Sequence, residues 1–161
     1  MQGNTPVEKV LRIAIRKEVE AREFYIDLAK QVDDAGTKET LGFLADEEQK
    51  HKEFLEDYLN GNLAEGTLQL NEVVDYKIVE HLEEEPEAQE DLEGPLTPKK
   101  AFLVAAKKED SAHAFYTDLS YMHPAGPVRD LLMKMANEEL RHKEKMEYLY
   151  ANTAFAQTAG G

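Results

Sequence analysis

The stretch ADEEQKHKEFL, Ala45 to Leu55, decides the fold, because helical spacing puts Glu48 and His51 where apolar side chains belong. Leu41, Leu44, Leu55 and Tyr58 recur around it in steps of three and four, the seam by which a bundle helix faces its neighbours. An acid and an imidazole interrupt that seam one helical step apart. The stretch has a double in ANEELRHKEKM, Ala136 to Met146, whose seam reads Leu132, Met135, Glu139, His142, Met146, Leu149.

The doubling extends well beyond these segments. Displacing the chain by 91 residues aligns 14–58 with 105–149 without a gap and gives 16 identities in 45 positions, where average residue usage gives about three. The spacing predicts a first helix starting at TPVE, with Thr5 as cap and Pro6 in the first turn, and ending near Gly36. Its seam is Val7, Leu11, Ala14, Glu18, Ala21, Tyr25, Leu28 and Val32. A second helix follows from about Thr40 to Asn60, closed by NGN. The third starts at TPKK, Thr97 to Lys100, with the seam Phe102, Ala105, Glu109, Ala112, Tyr116 and Leu119. HPAGP breaks it, and the fourth runs from about Val128 to Ala151. The expected fold is therefore all-α, a four-helix bundle made of two repeated antiparallel helix hairpins (5–60 and 97–151). A long crossover, 61–96, joins them, with a short helix over Leu68–Leu82 followed by an acidic loop, and a tail of little signal covers 152–161. The whole, 1–161, reads as a single domain.

Acids outnumber bases 33 to 19, giving a formal charge of −14 and arguing against nucleic acid or anionic membrane as a partner. No apolar run reaches spanning length and the N-terminus lacks a secretory pattern, so a cytoplasmic protein is expected. With no cysteine, disulfides, thiolate zinc, iron–sulfur clusters and rubredoxin-type centres are excluded. A redox metal must be held by nitrogen and oxygen.

Residues three apart on a helix share a face, so Glu48 with His51 and Glu139 with His142 can each grip one ion. Glu18 and Glu109 add one seam carboxylate from each partner helix. A lone Glu-x-x-His in so acidic a chain reads as a solvated pair; two at matching seam positions read as a metal centre. Four buried anions without partners would cost several kcal/mol apiece, and two divalent cations supply the missing charge. Glu47 and Glu138, also repeated, point one position off the seam and read as solvated or outer acids. Tyr25 and Tyr116 lie on the seam seven residues beyond Glu18 and Glu109, either as buried aromatics or as phenols bonded to a ligand carboxylate. His113, four residues after Glu109, is a candidate extra ligand, while His81 and His123 read as ordinary. Phe43, Phe54 and Phe155 stand at exposed positions that suit a homodimer.

The segments EVEAREFY, EDSAHAFY, EEQKH and EELRH resemble the rubrerythrin branch of the ferritin-like di-iron carboxylate superfamily. The resemblance implies a ferritin-like bundle binding two iron ions, with manganese or a mixed pair as alternatives. It implies Glu18, Glu48, His51, Glu109, Glu139 and His142 as ligands and Tyr25 as a tyrosine bonded behind them. The chain departs from the family in two places. It has no cysteine-ligated rubredoxin domain, and Ala112 stands where the family carries a seventh carboxylate. The implied function is reduction of hydrogen peroxide or dioxygen with electrons from a separate donor protein. The alternatives are a ferroxidase or iron-handling protein, and a non-catalytic bundle with structural metals.

Overall fold

The computed structural model describes residues 6–65 and 96–159, with side chains described for 7–61 and 96–153. Among the described residues there are four helices and no strand: α1 Pro6–Lys30, α2 Ala35–Glu65, α3 Pro98–Tyr121 and α4 Pro127–Ala159. The expected Thr5 cap, Leu68–Leu82 helix, acidic loop, His81 and Phe155 side chain lie outside the described residues.

Packing of the seams sets the topology. One apolar cluster joins the start of α1 (Val7, Leu11) to the end of α2 (Leu55, Leu59), the end of α3 (Phe115, Leu119) and the start of α4 (Leu131, Leu132). A second cluster joins the opposite ends through Leu28, Leu41, Leu44, Phe102 and Met146. Each hairpin is thus antiparallel, and α2 and α3 run parallel. The last turns of α2 lie beside the first cluster, while Leu96, just before α3, packs in the second. The expected all-α bundle of two antiparallel hairpins is the observed fold, and the expected crossover lies almost wholly outside the described residues.

Four helix boundaries differ from the sequence reading: the end of α1, both ends of α2 and the end of α4. The first helix stops at Lys30, short of Gly36, because Asp34 caps the next one: its Oδ2 accepts from the Thr37 amide and hydroxyl, both at 2.8 Å. Gly36 thereby falls inside the first turn of α2. NGN does not end α2, which runs to Glu65. Gly61 takes no positive φ, and a helix this long absorbs the roughly 1 kcal/mol that an interior glycine costs. Similarly, α4 continues past Ala151 to Ala159. Thr97 does cap α3, its side chain accepting from the Lys100 amide at 3.1 Å. Gly126, at φ 155°, makes the turn before Pro127 in a region that L side chains rarely adopt.

The seams are buried where expected except at Ala112, half-buried in the middle of α3, and toward the ends of the seams of α2 and α4. Tyr58 and Leu149 are half-buried, and Leu59 takes the inward place at 2% exposure. A straight helix drifts about 20° per heptad against a 3.5-residue repeat, so a seam drawn from the middle fails at the ends.

Candidate metal centre

Between the two apolar clusters lies one polar layer. Glu18, Glu48, His51, Glu109, Glu139 and His142 are all buried there, the carboxylates at 2% exposure or less and His51 and His142 at 5% and 8%. α1 and α3 give one carboxylate each, while α2 and α4 each give a Glu-x-x-His pair. Their donor atoms form two groups: Glu18, Glu48, His51 and Glu139 in one, and Glu48, Glu109, Glu139 and His142 in the other, with all atoms of a group within 4.8 Å of one another. Glu48 and Glu139 belong to both.

Both histidines turn Nδ1 inward. His51 Nδ1 lies 3.0 Å from Glu48 and 3.5 Å from Glu18 and Glu139. His142 Nδ1 lies 3.0 Å from Glu109 and 3.5 Å from Glu139. The two rings are nearly parallel, 5.7 Å apart. Behind them the tyrosines divide. The Tyr116 hydroxyl donates to Glu18 Oε2 at 2.6 Å, whereas the Tyr25 hydroxyl donates to the Ala105 carbonyl at 3.4 Å. His113 lies outside both groups, its Nδ1–H donating to the Ala136 carbonyl at 2.9 Å, so the structure gives no support to it as an extra ligand. Ala112 offers no donor at the position of the family's seventh carboxylate.

Charge in this layer is unbalanced. Burial, then the Glu48 charge, pushes the Glu18 carboxyl up to about 7. Burial, followed by the Glu48 charge, holds Glu109 and Glu139 well above the usual carboxylate range. Burial alone would lower His51, but the carboxylates of Glu18 and Glu48 outweigh it and push the imidazole up to about 11. His142 is held low, first by burial, and the charged His51 beside it contributes to that lowering. One imidazolium plus protons on carboxylates is thus how the chain alone relieves four buried acids.

Cations fit the same place. Glu18 Oε1, both Glu48 oxygens, His51 Nδ1, Glu109 Oε2 and Glu139 Oε1 are buried without a hydrogen bond. Buried polar atoms normally find a partner, and these orphans all belong to the two donor groups. Oxygen and imidazole donors suit iron, manganese or zinc.

The sequence reading left the outer acids undivided, and the structure crosses them. Glu138 Oε1 lies 2.9 Å from His51 Nε2, and Glu47 Oε1 lies 3.5 Å from His142 Nε2. Phe43 and Phe54, 41% and 39% exposed, lie under Lys145 and Lys134 of α4, with the ammonium groups 4.5 and 5.5 Å from the ring centroids. No described helix is long and apolar enough to cross a membrane.

Comparison with known proteins agrees with this architecture. A solved structure of a hypothetical protein from Pyrococcus furiosus is similar over 92% of this chain and 95% of its own, with 24% identity and a TM-score of 0.55, a likeness that speaks for the fold alone. Among curated proteins none matches. The family model described as rubrerythrin matches residues 9–93, a stretch that contains Glu18, Glu48 and His51 and spans more than half of the sequence. With that match and a buried carboxylate–histidine layer inside a four-helix bundle, the chain belongs to the rubrerythrin family.

Proposed function

We propose that the chain is a non-haem di-iron oxidoreductase that reduces hydrogen peroxide or dioxygen with electrons from a separate donor protein. One observation carries the reading: two buried four-donor groups share Glu48 and Glu139, so two ions held by them would be neighbours. Glu18, Glu48, Glu139 and His51 would hold one, and Glu109, Glu48, Glu139 and His142 the other. When bound, an iron pair supplies two electrons at adjacent positions, the number that takes peroxide, with two protons, to two waters.

The chain's own residues set the conditions. Apolar clusters on both sides of the layer exclude water, which strengthens every electrostatic contact within it. The Tyr116 hydroxyl holds Glu18 Oε2, leaving Oε1 turned to the donor group. Burial, before any nearby charge, keeps both tyrosine phenols well above their ordinary value. Tyr116 orients a carboxylate as a hydrogen-bond donor, and both phenols are too weakly acidic to release a proton readily.

Anaerobic loading with iron(II), metal analysis and rapid mixing with peroxide or dioxygen test the reading. The expected result is two irons per chain and loss of iron(II) together with consumption of the oxidant. Retention of iron(II) with both oxidants overturns it in favour of structural metals. A large shell on sizing that accumulates ferric mineral overturns it in favour of iron handling.

A further inference from the structure

Beside each shared ligand stands an acid that the proposed reaction leaves unused: Glu47 before Glu48, and Glu138 before Glu139. One position off the seam, each would point to water on an isolated helix. In the bundle their side chains are only 19% and 33% exposed. Each reaches across to the histidine of the other hairpin: Glu138 of α4 to His51 Nε2 at 2.9 Å, and Glu47 of α2 to His142 Nε2 at 3.5 Å.

Imidazole chemistry gives that crossing a purpose. With Nδ1 turned into the donor group, a neutral ring can present its lone pair there only if Nε2 carries the proton, and an Nε2–H away from bulk water needs an acceptor. Glu138 supplies it for His51. Glu47 is itself anchored, its Oε2 taking a hydrogen bond from Lys50 Nζ at 3.0 Å while Oε1 faces His142. A carboxylate behind a metal-binding imidazole fixes the tautomer and ring orientation and makes the ring a stronger donor.

We propose that Glu47 and Glu138 are positioning residues working across the repeat boundary, each fixing the tautomer and tilt of the other hairpin's metal-facing histidine. The inference rests on the paired-metal reading above. It predicts that removing either acid is felt at the histidine of the opposite hairpin before the histidine four residues away on its own helix.

Zinc(II) serves as a diamagnetic probe. Long-range proton–nitrogen correlation spectra of histidine-labelled protein report each ring's tautomer, and competition with a chelator reports affinity. The wild-type chain is expected to take two zinc ions with both rings protonated at Nε2. Failure to bind two would defeat the paired-metal reading and this inference with it. Given two, Glu138→Ala should disturb the His51 ring, leave the His142 pattern in place and weaken one zinc by about tenfold or more. Glu47→Ala should do the same to His142. Glu138→Gln keeps an acceptor oxygen and should retain the His51 tautomer and recover part of the affinity. Wild-type spectra and affinities in the alanine variants, or disturbance confined to the histidine of the same helix, would overturn the inference while leaving the paired-metal reading standing.

Discussion

Glu48 and Glu18 are both buried carboxylates in the same layer, yet their positions give them different consequences. Glu48 offers oxygens to both donor groups and Glu18 to one. Glu48→Ala should therefore empty both positions, and Glu18→Ala only the one that His51 serves. Metal content per chain after desalting checks this, and equal losses in the two variants would contradict the sharing. The six residues were legible in the sequence because burial of an acid or imidazole shows up as a break in a periodic seam, and the 91-residue repeat showed each break twice. What their neighbours touch was not. Tyr25 and Tyr116 occupy matching repeat positions, yet one hydroxyl meets a carbonyl and the other Glu18. That difference depends on how helices rotate against each other, which a single helix's periodicity does not encode. Glu47 and Glu138 were missed as cross-hairpin partners for the same reason.

At the scale of the helix, glycine separates what a sequence suggests from what a backbone does. NGN reads as a stop, but Gly61 lies inside α2 and a Cβ added there meets nothing within 4 Å. Gly42, in the same helix, is equally open. Gly42→Ala and Gly61→Ala should each raise stability by roughly 0.5–1 kcal/mol, since alanine loses less backbone freedom on folding. Gly126→Ala should do the opposite, because its φ of 155° strains any residue with a Cβ. Thermal or denaturant melts of the three variants give the comparison, and stabilisation by all three would contradict the turn geometry. Thr97→Ala removes the side chain that accepts from the Lys100 amide and should cost about 1 kcal/mol in the same measurement. A clue to the true end of α1 was present in the repeat: VDDAG, 32–36, aligns with the HPAGP break at 123–127. Reading the two hairpins against each other starts the break at Val32, just past Lys30, whereas composition alone points to the glycine.

For the whole molecule, burying four carboxylates in one layer makes stability depend on what neutralises them. Glu18, at about 7 in the folded chain against 4.5 ordinarily, binds a proton more readily folded than unfolded. Its contribution is full below about 4.5 and is lost as pH rises through about 7, a change of about 3 kcal/mol for the shift. Glu109 and Glu139, also raised by burial, act in the same sense. His51 does too, losing its contribution between about 6.5 and about 11. His142 and His123 are lowered by burial and run the other way, adding stability as pH rises toward about 6.5 and nothing more above it. Above about 6.5 the raised groups are thus unopposed by the lowered histidines. The melting temperature of the metal-free chain should fall from about pH 7 to about pH 9 as His51, Glu109 and Glu139 lose their protons, while Glu18→Gln should alter the pH dependence chiefly between about 4.5 and about 7, where Glu18's own contribution is lost. Cations reverse the dependence, since they replace the same protons and bind only the assembled layer. At a thousand times the dissociation constant they add about 4 kcal/mol, and their affinity grows as the carboxylates ionise. Calorimetric melts of chelator-treated and metal-loaded protein across this range should diverge with rising pH. A metal-free chain that melts higher at about pH 9 than at about pH 7 would show that protons are not what holds its buried acids in place.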